Sequence, residues 1–104
     1  MTVNEITTFD LKRKLDMGDD IYIFDIRTPE EFELGHVDMS ILIPFSELEE
    51  HLSDFDKQKE YVISCGLGGK ALEAVLFMNE RGFDNVKFLI GGYHQWMLDN
   101  NHKN

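Results

Sequence analysis

Tyr61-Val62-Ile63-Ser64-Cys65-Gly66-Leu67-Gly68-Gly69-Lys70 is the stretch that decides the fold. Four residues suited to a buried strand run straight into a cysteine. Three glycines then fall within four positions, and from Lys70 the sequence turns helical. Glycines let the backbone curl without Cβ clashes. Successive N–H groups can then face inward as an anion-binding nest, with the partial positive charge of a helix N-terminus beneath it. A thiol placed there is expected to have a lowered pKa, because the loop stabilises its charged form. A buried structural cysteine is the alternative, and the glycine-rich turn into a helix argues against it.

Working outward, strand and helix patterns alternate. Thr7-Thr8-Phe9-Asp10 starts a helix with Leu11 and Leu15 on one face, and Met17-Gly18-Asp19-Asp20 ends it in a turn. Ile21-Tyr22-Ile23-Phe24-Asp25-Ile26 is apolar on both faces, as a central parallel strand requires. Thr28 caps a short helix with Pro29 at its first position. Gly35-His36-Val37-Asp38 is loop, and Ile41-Leu42-Ile43 is a strand stopped by Pro44. Ser46 is placed to cap a helix over Glu47 to Leu52 through Ser46-Glu47-Leu48-Glu49, a capping-box pattern. Lys70 to Arg81 is the longest helix, with Leu72, Val75 and Leu76 as its expected apolar stripe and Gly82 just past its end. Val86 to Ile90 is the last strand, and Gly91-Gly92 turns it into a helix over Tyr93 to Leu98. Such alternation implies α/β architecture, a mostly parallel sheet covered on both faces. The loops after the strands then gather on one rim, where open α/β sheets bind ligands.

Composition narrows the function. The 104 residues carry 20 acidic and 10 basic side chains, a net charge of −10, with 42% hydrophobic residues. That is one domain with enough apolar material for a core. The expected core is about residues 5–99, followed by a polar tail over residues 100–104. The charge disfavours nucleic acid as a partner. No apolar run approaches a membrane span, and no secretory leader is visible. The single cysteine excludes an intrachain disulfide and points to a reducing cytoplasm. No His/Cys/Asp spacing resembles a zinc site.

Four segments together carry a family resemblance. They are Asp25-Ile26-Arg27 with Glu31-Phe32, Gly35-His36-Val37 with Ile43-Pro44, the Cys65-to-Lys70 loop, and Gly82-Phe83 with Gly91-Gly92-Tyr93-His94-Gln95-Trp96. In order and spacing the chain resembles a single-domain rhodanese, a sulfurtransferase fold. The resemblance implies a rhodanese-like five-stranded, mainly parallel sheet with helices on both faces. It implies that Cys65 is the catalytic nucleophile, carrying sulfane sulfur as a persulfide between a donor and a thiophilic acceptor. Gly66, Leu67, Gly68, Gly69 and Lys70 then form the substrate-binding loop, with Asp25, Arg27 and His36 as supporting residues near the site. No metal or organic cofactor is implied. The partners implied are a small-molecule donor such as thiosulfate or a persulfide, a thiol or cyanide acceptor, and a sulfur-relay protein. A monomer is the expected state. With no second thiol in the chain, the acceptor has to be external.

The departures from the family pattern are specific. Where many active members carry arginine in the loop, this chain has Gly66, Leu67, Lys70 and Ala71, and Lys70 is the loop's only formal cation. Lysine lacks arginine's bidentate fork, so poor turnover of dianionic thiosulfate is expected. Asp38-Met39 replaces the small Gly-Ala pair usual in the early loop. A cysteine phosphatase or arsenate reductase is a weaker rival, because those loops place Arg six residues after the cysteine, where this chain has Ala71. A non-catalytic module that keeps the fold is the other rival. Among the supporting residues, Arg27 and Glu31 stand at i and i+4 and are expected to pair. Asp25 is expected to brace neighbouring loops, His36 to brace its own loop, and Trp96 to anchor the core.

Overall fold

The computed structural model describes residues 4–66 and 69–101. Leu67, Gly68 and the last three residues of the expected polar tail lie outside them, as do residues 1–3. The elements in chain order are β1 (Glu5–Ile6), α1 (Thr8–Asp16), β2 (Ile21–Asp25), α2 (Pro29–Leu34), β3 (Ser40–Leu42), α3 (Leu48–His51), β4 (Glu60–Ser64), α4 (Lys70–Glu80), β5 (Val86–Leu89) and α5 (Gly92–Asn101). The strands form one sheet in the order β1-β5-β4-β2-β3. Every pairing is parallel, so the five-stranded α/β expectation holds without an antiparallel strand.

The central strand is β4, and Tyr61, Val62, Ile63 and Ser64 in it are all fully buried. Alternation sends successive side chains to opposite faces of the sheet. Tyr61, Ile63 and Phe24 join one core with Leu48 of α3 and Ala71, Ala74, Val75 and Met78 of α4. Ile23 and Val62 join a second core with Leu11 of α1 and Trp96 of α5. Helices thus cover both faces. Each large apolar side chain buried this way contributes roughly 1.5–3 kcal/mol relative to exposure.

Local signals explain most boundaries. Thr7 caps α1 by accepting the Asp10 N–H. Thr28 and Glu31 form a reciprocal capping box with Pro29 inside the first turn of α2. Gly82, at φ +94°, follows the last turn of α4 in a left-handed conformation that favours glycine.

Several expectations need correction. Helix does follow here, as α3, but Ser46 does not cap it: Ser46 is inside the 3₁₀ turn Phe45–Glu47, and neither that turn nor α3 has a side-chain cap. Leu72 and Leu76 are about half exposed. The buried face of α4 is instead set by Ala71, Ala74, Val75 and Met78, because small side chains let the helix sit close to the sheet. Two residues suffice for β1, where the residue pattern indicated no strand. Finally, α5 extends through Asn101, so the first two residues of the expected tail are helical. The Asn100 side chain donates to the Trp96 carbonyl at 2.9 Å.

Candidate active site

Because the strands are parallel, the ends of β2, β4 and β5 open on one rim. Asp25 is opposite Ser64 in register, and the Ile26 N–H extends the pairing to the Ser64 carbonyl. Cys65 is the first residue beyond β4, and α4 begins five residues later. The turn from β5 into α5 approaches from the other side. Gly91 and Gly92 both have left-handed backbone, and the Tyr93 N–H donates to the Cys65 carbonyl at 3.2 Å. A Cβ on Gly92 would lie 2.1 Å from that same carbonyl oxygen. Glycine is therefore required by contact as well as by backbone angle. The start of α5 is clamped onto the backbone of the cysteine.

Cys65 is 8% exposed and lines an open cleft of about 450 Å³. Ile26, Pro44 and Phe45 give the cleft apolar walls; Glu31, Gly66 and Lys70 also line it. A second hollow of about 420 Å³ meets Cys65 from the side of Leu72, Phe88 and Gly92. The thiol can donate to the Gly66 carbonyl at 3.1 Å. Burial pushes the Cys65 thiol pKa up. The backbone N–H of Ala71 opposes that rise, Asp25 adds to it, and Arg27 opposes it. This reverses the expected lowering: desolvation of a nearly buried sulfur outweighs the donors at the start of α4. The Leu67 and Gly68 part of the expected nest lies outside the described residues. Gly69 has φ +80° and precedes α4 with no side-chain cap, which leaves the first N–H groups of that helix for another acceptor.

Arg27 is not paired with Glu31 as expected. Its Nε and Nη2 donate to the fully buried carboxylate of Asp25, with distances of 2.7–3.2 Å. The Arg27 backbone N–H donates to the same carboxylate at 3.0 Å. Nη2 also donates to the Gly35 carbonyl at 2.7 Å, and the guanidinium lies 4.8 Å from the Tyr93 ring centre. The hydrogen bonds that the guanidinium donates to Asp25 raise the Arg27 pKa further. The side chain of Arg27 is thus a brace that ties the loop after β2 to the loop after α2 and to α5. Asp25 is a brace, as expected. The Glu31 carboxylate instead accepts from Thr28, which holds its pKa below the ordinary value. Its other oxygen faces Gly66.

His36 does not join this cleft. Its ring stacks on Phe32 at 3.7 Å, its Nδ1 lies 2.7 Å from the Phe32 carbonyl, and it lines a separate hollow with Lys12 and Met39. A loop brace it is, but one away from the sulfur. Lys70 is exposed at the cleft, 3.6 Å from Glu73 and 5.0 Å from the centre of the Phe45 ring. Glu31, Phe45 and Gly92 were not singled out as site residues in the sequence. The capping-box pairing of Glu31 with Thr28 was a visible signal for Glu31, whereas only the tertiary fold brings Phe45 and Gly92 to the cysteine. The one grouping of metal-ligating side chains among the described residues, Glu47, Glu50 and His51, falls at and just before α3, and none of the three lines the Cys65 cleft.

The arrangement matches known proteins in sequence and in shape. The family model described as rhodanese-like domain covers residues 7–99. The chain is 31% identical to YtwF of Bacillus subtilis over 104 residues, all of both chains. It is 30% identical over 94 residues to a sulfurtransferase of Allochromatium vinosum, covering 90% of this chain and 88% of that one. The crystal structure of a rhodanese-like domain protein from Staphylococcus aureus superposes with a TM-score of 0.81 at 34% identity, over 90% of this chain and 91% of that one. Sequence and architecture agree over nearly the whole length, and the chain belongs to the rhodanese-like domain family of sulfurtransferases.

Proposed function

We propose that Cys65 carries sulfane sulfur as a persulfide, with residues 1–104 acting as a single domain. The observation that supports this most is the position of the sulfur at the strand-to-helix turn, facing an open cleft and the uncapped start of α4. In the first half-reaction the Cys65 thiolate attacks the outer sulfur of the donor. The S–S bond of the donor breaks, and its electron pair leaves with sulfite from thiosulfate or with a thiolate from an organic persulfide. In the second half-reaction an acceptor nucleophile attacks the outer sulfur of the Cys65 persulfide and the thiolate is restored. Cyanide would leave as thiocyanate. The Ala71 N–H faces the sulfur and stabilises its negative charge in both halves. Gly66, Leu67, Gly68, Gly69 and Lys70 form the loop that receives the donor. Asp25 and Arg27 hold the rim in shape without touching the reacting sulfur. The acceptor is a small thiol or a relay protein, since the chain has no second cysteine.

The near-complete burial of Cys65 and the single cation of its loop favour a second reading, a module that keeps the fold and transfers nothing. Intact mass separates the two. After treatment with a thiol persulfide or thiosulfate, a carrier gains one sulfur atom, and cyanide removes it as thiocyanate. Cys65→Ser is expected to remain folded, gain no sulfur and turn over no donor. A wild-type chain that gains no sulfur from any donor would establish the silent module.

A further inference from the structure

Glu31 and Lys70 place opposite charges at the mouth of the Cys65 cleft, between apolar walls formed by Ile26, Pro44 and Phe45. Arg27 lines the same cleft, but its charge is matched internally. Arg27 is spent on Asp25 and on the Gly35 carbonyl, and offers an incoming anion no unengaged fork. The geometry of Glu31 is specific. One oxygen, Oε1, is held by the Thr28 N–H and hydroxyl. The other, Oε2, lies 3.9 Å from the position of a Cβ on Gly66, the residue after the cysteine. Thr28 and Arg27 keep this carboxylate ionised. Lys70, the exposed cation of the cleft, leans over the Phe45 ring with Glu73 3.6 Å away.

We infer that Glu31 is a specificity residue that turns the cleft away from dianionic donors and toward persulfides of the amino-acid type, carrying an ammonium as well as a carboxylate. This rests on the sulfur-transfer proposal. An ammonium is drawn to Glu31 and a carboxylate to Lys70, while the short carbon stem passes the apolar walls. Thiosulfate brings two negative charges past Glu31 and gains chiefly from Lys70, since Asp25 matches the charge of Arg27. The transfer step is balanced as for any organic persulfide: the thiolate of Cys65 takes the outer sulfur, and the amino-acid thiolate leaves with the electron pair of the broken S–S bond.

The test is Glu31→Gln, since glutamine also fits the third helical position of a capping box and so keeps the α2 start while removing the charge. The kcat/KM is measured at low salt for cysteine persulfide, N-acetylcysteine persulfide and thiosulfate, with cyanide as acceptor and a thermal melt as control. The two organic donors share the carboxylate and differ in the ammonium. A unit charge near the surface, acting over about one Debye length (~8 Å), changes such a rate roughly two- to sixfold. Glu31→Gln is therefore expected to lower kcat/KM for cysteine persulfide relative to the acetylated donor by about that factor. It is expected to raise thiosulfate turnover by more, because two charges are involved. Lys70→Gln, which leaves the α2 cap untouched, is expected to weaken both carboxylate donors. Loading of Cys65 by all donors with ratios unchanged by Glu31→Gln overturns the inference and leaves sulfur transfer standing. A Glu31→Gln variant that melts early is replaced by wild-type protein across a salt series; donor ratios independent of salt then overturn it equally. Absence of loading from every donor overturns both.

Discussion

Arg27→Met is the most informative single change, because the buried pair and the surface pair predict different magnitudes. The Asp25 carboxylate is fully buried and takes three side-chain contacts from Arg27. Methionine keeps most of the stem volume but leaves that carboxylate with only a backbone N–H. Breaking a buried pair by removing one partner costs about 3–5 kcal/mol. For a domain of this size each kcal/mol lowers Tm by about 4–8 °C, so the drop is about 12 °C or more. Asp25→Asn should cost less. Its amide oxygen still accepts the backbone N–H, and the Arg27 side chain, 9% exposed, is near enough to the surface to turn outward. In the double variant the two losses should fall short of additive by about 1–3 kcal/mol, since each removes the same contacts. Urea unfolding followed by circular dichroism, with thermal melts alongside, measures all three. A loss below about 1 kcal/mol for Arg27→Met, the range of exposed pairs, would refute the brace.

Two other outcomes follow from the turn geometry and the thiol. Gly92→Ala is expected to cost about 1–3 kcal/mol from backbone strain alone, with more from the clash on the Cys65 carbonyl. Gly69→Ala, also left-handed but with open space around it, should cost only the strain, and equal melting of the two variants would count against the clamp. Cys65 alkylation by iodoacetamide should have its pH midpoint above the free-thiol value of about 8.5. In the fold the proton stays on to higher pH than in the unfolded chain, so this contribution to stability is complete below the free-thiol pKa. It is lost as pH rises through the folded pKa. A midpoint below the free value would show that the loop donors outweigh burial.

Local chemistry made much of the fold legible. The Thr7 and Thr28 caps, Pro29, and the doubly apolar runs of β2 and β4 are signals within a few residues, and they lead to the right elements. The errors share a cause. Hydrophobicity alone favours a Leu72/Leu76 stripe, but which face of α4 is buried depends on how closely it approaches the sheet, and that selects alanines. Ser46-Glu47-Leu48-Glu49 has the letters of a cap, but a 3₁₀ turn takes up Ser46 and α3 starts without a side-chain cap. At the site, the strand–cysteine–glycine pattern placed Cys65. The partner of Arg27 could not be read from i, i+4 spacing because Asp25 lies two residues back, across a bend. His36 stands beside the right motif, yet stacking on Phe32 turns it to another hollow. The thiol pKa failed for a similar reason: a nest can be recognised in sequence, whereas the burial that opposes it is a property of the assembled fold.

The strand order has a consequence for how the chain acquires this shape. The first strand pairs only with β5, joining Glu5 to Phe88 and Ile6 to Leu89 across some eighty residues. Contacts so distant in sequence have to wait for long loop closure, which slows folding relative to helical domains of equal size. A chain cut before residue 86 would lose β5, deprive β1 of its neighbour and expose the flank of β4. Fragments lacking the last strand should therefore aggregate or be degraded rather than persist as a smaller working unit.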